Sequence, residues 1–194
     1  MVKVNGMELD IAGKTVAEYI GNEKLKVAVT NMLKNGNRPQ VILLKGHSGC
    51  GKTTMARLLA KEYGCEDRDE LTGACGSCDN CKAFDDYIES GDTNNLMNLH
   101  EIDSGKVGKA EAEQIMAEME APTYDGGWKT FIFDECHLLT AGAMGGLLKM
   151  VEEPPERVLI VFCTTDPEKM LDTLLSRCQY ELQVAKPTRG ELCT

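Results

Sequence analysis

Apolar and polar positions along this chain alternate between two rhythms. Short unbroken apolar runs occur at Val41-Ile42-Leu43-Leu44, within Lys129-Thr130-Phe131-Ile132-Phe133, and at Val158-Leu159-Ile160-Val161-Phe162-Cys163. Such runs predict strands buried on both faces. Weaker runs at 96–103 and 180–184 predict two more strands. Between them, apolar residues recur at helical spacing. Residues 15–34 carry Val16, Ile20, Leu25, Val27, Ala28, Val29, Met32 and Leu33, with Gly21-Asn22 predicted to break the helix in two. Further helices are predicted from about 52 to Tyr63-Gly64, over 106–120 up to Pro122, over 138–153 up to Pro154-Pro155, and as a short turn at 171–175. Gly142, Gly145 and Gly146 weaken the helix over 138–153 and imply either close packing or a break. Residues 1–10 read as a polar lead-in or edge strand, and 185–194 as a polar stub.

Strands alternating with helices imply an α/β fold: a parallel five-stranded sheet flanked by helices, with any ligand at the carboxyl ends of the strands. The 194 residues suffice for one core, and their 42% hydrophobic and 27% charged content is ordinary for a globular chain. The formal charge of -10 argues against a broadly basic, non-specific nucleic-acid binder. No apolar run approaches the ~20 residues of a membrane span, and the N-terminus lacks a signal-peptide pattern, so no membrane partner and a cytoplasmic location are expected.

Between the first strand and its helix lies Gly46-His47-Ser48-Gly49-Cys50-Gly51-Lys52-Thr53-Thr54. This is the phosphate-binding pattern G-x-x-x-x-G-K-[ST] in its required strand–loop–helix context. Its glycines let backbone N–H groups approach phosphate oxygens, and the following helix adds unpaired N–H groups and the positive end of its dipole. Lys52 has the reach for β- and γ-phosphates, and the Thr53 hydroxyl suits Mg²⁺. A purely structural glycine turn would need neither residue.

Cys65, Cys75, Cys78 and Cys81 follow in the spacing C-x9-C-x2-C-x2-C, among Gly73, Gly76 and Ser77. Four thiolates so spaced match a closed, structural Zn²⁺ site in an insertion over about 65–81; the competing reading is free or redox-active thiols. With no export signal, the nine cysteines of the chain favour metal over disulfides. Cys136 and Cys163 read as small core residues.

The strand at 129 ends in Asp134-Glu135. Downstream of a phosphate loop, such an Asp supports Mg²⁺ and the next Glu polarises the attacking water; otherwise the two are an ordinary acidic pair at a strand end. The strand at 158 ends in Thr164-Thr165-Asp166, which lies beside the loop if the two strands are neighbours.

Together these residues resemble the γ/τ subunit family of the bacterial DNA polymerase III clamp loader, an AAA+ ATPase. The resemblance runs from about Tyr19 to Val184. It rests on the phosphate loop, the cysteine cluster placed after its helix, Glu101-Ile102-Asp103, Phe133-Asp134-Glu135-Cys136-His137, Leu147-Leu148-Lys149 with Glu152-Glu153-Pro154-Pro155, Thr164-Thr165-Asp166-Pro167, and Ser176-Arg177-Cys178. It implies ATP as the nucleotide, Lys52, Thr53, Asp134 and Glu135 in the roles above, Thr165 as the sensor-1 residue, and Arg177 as an arginine finger acting on a neighbouring subunit. It further implies partner clamp-loader subunits, a sliding clamp and primer–template DNA reached through the assembled complex.

Two departures stand out. The family continues with a helical lid and a collar that nothing up to Thr194 matches, so residues 1–194 are expected to be an AAA+ core with lid and collar missing, as a fragment or a minimal variant. The family's arginine- and proline-containing lead-in is replaced by Asp10-Ile11-Ala12-Gly13-Lys14. The alternatives are a lidless ATP- and zinc-binding module with negligible turnover, and a P-loop kinase or other AAA+ remodeller.

Overall fold

The computed structural model describes residues 2–4, 7–9, 15–19, 21–70, 72–90, 96, 98–123 and 126–187. The lead-in at 10–14, part of the turn at 124–128 and the end of the tail, 188–194, lie outside the described residues.

Strands β1 (Val2–Val4) and β2 (Met7–Leu9) pair antiparallel as a sheet of their own, so the expected single edge strand is a hairpin. The predicted break at Gly21-Asn22 is present. Both residues have positive φ, 72° and 57°, and separate a 3₁₀ turn at Val16–Glu18 from α1 (Glu23–Met32). Then follow β3 (Val41–Lys45), α2 (Lys52–Gly64), α3 (Asp79–Ser90), β4 (Leu99–Asp103), α4 (Lys109–Glu120), β5 (Lys129–Asp134), α5 (Ala141–Glu152), β6 (Val158–Thr164), α6 (Asp172–Leu175) and β7 (Tyr180–Gln183).

Five strands form one parallel sheet in the order β4-β5-β6-β3-β7. Successive residues of a strand face opposite sides, so an unbroken apolar strand needs cover on both. Ile42, Leu44, Ile132, Val161 and Cys163 pack with α1 and α2 on one face. Val41, Leu43, Phe131, Phe133, Ile160 and Phe162 pack with α4 and α5 on the other. Among the described residues no helix is long and apolar enough to cross a membrane.

The sequence pattern predicts no helix at α3. The structure has one because Cys81 and Phe84, three residues apart, are buried while most of the rest of the helix is polar. Its Asp85 pairs at 2.6 Å with Lys61, a fully buried lysine on α2. The predicted helix over 138–153 begins later, at Ala141, where the Thr140 hydroxyl caps it by accepting from Ala143 N–H. Gly142, Gly145 and Gly146 do not break it. Cβ atoms added at 142 and 145 would meet open space, and only Gly146 faces α4, with Met116 Cε 3.7 Å from its added Cβ.

Candidate functional site

Strand β3 lies between β6 and β7, and its carboxyl end opens into the glycine loop. Gly46 N–H donates to Thr164 O at 3.1 Å, tying the start of the loop to the end of β6. A Cβ on Gly46 would sit 2.2 Å from Val184 O, so only glycine fits beneath the end of β7. Gly49 and Gly51 adopt φ of +69° and +98°, the left-handed region that glycine enters at no steric cost. The exposed tip is His47, Ser48 and Gly49, whereas the Cys50 side chain is buried in the core. From behind, the Tyr19 hydroxyl donates to Cys50 O at 3.3 Å and Gly51 O at 3.4 Å. Burial first, and nearby Cys50 second, push the Tyr19 phenol up to about 12.

Lys52 opens α2 with only 5% of its surface exposed. Its Nζ lies 3.1 Å from Gly46 O and 3.3 Å from His47 O, so loop carbonyls hold the ammonium. The Thr53 hydroxyl donates to Asp134 Oδ2 at 3.1 Å. Thr54 follows in the first turn, half-buried. Asp134 Oδ1 accepts from Glu135 N–H at 3.1 Å. Glu135 leaves the strand with φ of +47°, its Oε1 3.9 Å from Lys52 Nζ and its Oε2 accepting from the Thr165 hydroxyl at 2.9 Å. Lys52, Thr53, Asp134, Glu135 and Thr165 therefore converge at the carboxyl ends of β3, β5 and β6. Two hard oxygens facing each other beside a buried ammonium form a donor set that fits Mg²⁺ and phosphate.

Arg177 is not in this group. Its Nη1 donates to Thr173 O at 2.6 Å and its Nη2 pairs with Glu152 at the end of α5, with 35% of the side chain exposed.

The thiol sulfurs of Cys65, Cys75, Cys78 and Cys81 all lie within 4.8 Å of one another. Backbone N–H groups already point at them: Cys75 N donates to Cys65 Sγ at 3.2 Å, Cys78 N to Cys75 Sγ at 3.3 Å and Cys81 N to Cys78 Sγ at 3.4 Å. The Cys75 thiol is drawn down to about 6, chiefly by the Ser77 and Cys78 N–H groups. Tetrahedral sulfurs about 2.3 Å from Zn²⁺ stand about 3.8 Å apart, so this donor set fits the ion. None of the eight described cysteines is in a disulfide.

Sequence reasoning assigned no role to three contributors. Tyr19 backs the loop. Arg57 clamps Glu101 with two bonds, at 2.6 and 2.7 Å, tying α2 to β4. His137 lies 3.4 Å from Glu135 Oε2; in the sequence it appeared only as the last residue of the Phe133-Asp134-Glu135-Cys136-His137 motif, with no role of its own.

A family model described as "DNA polymerase III, delta subunit" matches residues 21–186. The chain belongs to this family. Among curated members of the polymerase III system, it is 38% identical over 178 residues to the tau/gamma subunit of Haemophilus influenzae, covering 91% of this chain and 25% of that protein. It is 38% identical over 172 residues to the tau subunit of Escherichia coli (88% and 26%), and 34% identical over 163 residues to the gamma/tau subunit of Mycoplasma genitalium (84% and 26%). The resemblance to the γ/τ family is thus borne out, and the chain spans about a quarter of the length of these relatives. Its fold is that of Thermotoga maritima RuvB, described as a Holliday junction branch migration motor, with TM-score 0.58 and 21% identity over 88% of this chain and 47% of that one. A single-substitution variant of the same RuvB gives TM-score 0.62 over 93% and 52%. A polymerase III gamma subunit-related protein from the same organism gives 0.53 at 18% identity, over 88% and 48%. The expected parallel five-stranded sheet flanked by helices is thus the fold that this chain shares with these proteins.

Proposed function

We propose that this chain is the ATP-binding and ATP-hydrolysing core of a γ/τ-type clamp-loader subunit, acting in DNA replication with partner subunits, a sliding clamp and primer–template DNA. The observation that carries the reading is the convergence of Lys52, the Thr53–Asp134 pair and Glu135 at three adjacent strand ends.

In this reading the loop from Gly46 to Thr54 cradles the phosphates with its N–H groups, and Lys52 exchanges its loop carbonyls for β- and γ-phosphate oxygens. Thr53 and Asp134 hold Mg²⁺, which when bound neutralises charge on the phosphates. Glu135 takes the proton of the attacking water as the bond to the leaving ADP breaks, and Thr165 orients Glu135 or the γ-phosphate. Arg177 acts on the neighbouring subunit's site, which requires it to leave Glu152. Cys65, Cys75, Cys78 and Cys81 hold a structural Zn²⁺ that braces the segment between α2 and α3.

The pairing of Arg177 within its own chain favours a second reading, in which the isolated chain binds ATP and zinc with negligible turnover and serves as a partner in a larger complex. ATP binding and steady-state hydrolysis, with Lys52→Ala as the blank, separate the two. Turnover above the blank supports the ATPase core, and binding without turnover supports the module. Absence of binding overturns both.

A further inference from the structure

The turn after β5 places an imidazole against Glu135. His137 Nδ1 lies 3.4 Å from Glu135 Oε2 and 3.2 Å from the hydroxyl oxygen of fully buried Thr164. That hydroxyl oxygen also accepts from Asp166 N–H at 3.0 Å, which leaves it a lone pair for a second donor. Glu135 itself stands at φ +47°, a strained conformation for a non-glycine residue that persists only where the surroundings fix it. An ionised carboxylate offers only lone pairs, so an unprotonated ring nitrogen facing Oε2 would repel it, whereas a protonated one donates.

We propose that His137 is a positioning residue: its Nδ1–H, together with the Thr165 hydroxyl, anchors Glu135 Oε2 and thereby aims Oε1 toward Lys52. Thr164 sets the ring's orientation, and no proton leaves the imidazole in this role. The catalytic consequence rests on the ATPase reading, but the placement of Nδ1 between Glu135 Oε2 and the Thr164 hydroxyl does not.

The test therefore has two arms. In ¹⁵N-histidine spectra of the full chain without nucleotide at alkaline pH, His137 should be protonated at Nδ1, and Glu135→Ala should shift it toward the Nε2–H tautomer. An Nε2–H tautomer in the unsubstituted chain, or no change in the variant, overturns the proposal. In steady-state assays, His137→Ala should lower kcat about tenfold or more, as expected when a reacting group is misplaced, with KM for ATP unchanged within about twofold. His137→Asn, whose amide N–H stands near the place of Nδ1–H, should restore most of the loss. Equal losses in both variants, or a rise in KM that accounts for the effect, overturn it. If the unsubstituted chain shows no turnover, the ATPase reading fails while the spectra still decide the geometry.

Discussion

At the scale of single residues, the site depends on how little space surrounds each group. Gly46 and Gly49 are both loop glycines, yet they answer to different constraints. An added Cβ at Gly46 meets the Val184 carbonyl, which is backbone and is itself fixed because Val184 N–H donates to Lys45 O at 2.8 Å. Gly49 has open space around it but a φ of +69°. Gly46→Ala should therefore cost about 2–3 kcal/mol and displace the loop, as overpacking against a rigid neighbour does. Gly49→Ala should cost only about 1 kcal/mol through backbone strain. Denaturant unfolding measures both, and a loss at Gly49 equal to that at Gly46 would refute the distinction. On the proposed reading, Glu135→Gln keeps an oxygen to accept from Thr165 but removes the group that takes the water's proton. Hydrolysis should fall about 10²–10⁴-fold while ATP affinity holds, measured by single-turnover assay beside a binding titration.

At the scale of elements, α3 and the cysteine turn are fastened to α2 by polar contacts as much as by apolar ones. Lys61 is fully buried and pairs with Asp85, which is 22% exposed. Buried Glu62 likewise pairs with Arg68 at 2.8 Å. Removing the acid from the first pair leaves an ammonium without its counter-charge inside the protein. Asp85→Ala should therefore destabilise by about 3 kcal/mol, more than Lys61→Met, whose apolar stem still fills the space. Thermal unfolding of the two variants gives the order. If the four thiols hold Zn²⁺, a chelator should expose 65–90 to protease while the sheet stays protected. Unchanged protection, in protein shown to contain zinc beforehand, would mean the metal does not brace this segment.

At the scale of the whole molecule, folding buries several weak acids in their neutral forms, most of them in the two-faced core. Burial raises the Tyr19 and Tyr87 phenols from 10.0 to about 12, the Cys178 thiol from 9.0 to about 12, and the Tyr63, Cys136 and Cys163 groups as well. Each folded value exceeds the unfolded one, so the unfolded chain gives up these protons first. Stability attributable to these groups is complete well below their unfolded values of 9.0 and 10.0 and falls as pH rises through them. It is lost by about 12 for Tyr19, Tyr87 and Cys178, and at still higher pH for Tyr63, Cys136 and Cys163. Unfolding free energy measured across that range should decline steadily. Tyr19→Phe should flatten the part of the decline above 10, at the cost of about 1 kcal/mol at neutral pH for the missing hydroxyl bond.

Much of this was legible in the sequence, because the signals are local. Unbroken apolar runs identify strands buried on both faces, and the run at Val158–Thr164 is buried along its whole length. The glycine loop, the cysteine spacing and Asp134-Glu135 are each patterns of a few neighbouring residues. Tertiary structure alone decided how these segments meet. The strand order brings Thr164 and Thr165 beside the loop and leaves Arg177 with Glu152, and no local pattern encodes which strands become neighbours. Helix α3 escaped the reading because two inward positions make too narrow a stripe to register until α2 supplies the surface that covers them. His137 escaped it for a related reason: one histidine in a turn acquires meaning only when a carboxylate and a buried hydroxyl from different segments close around it.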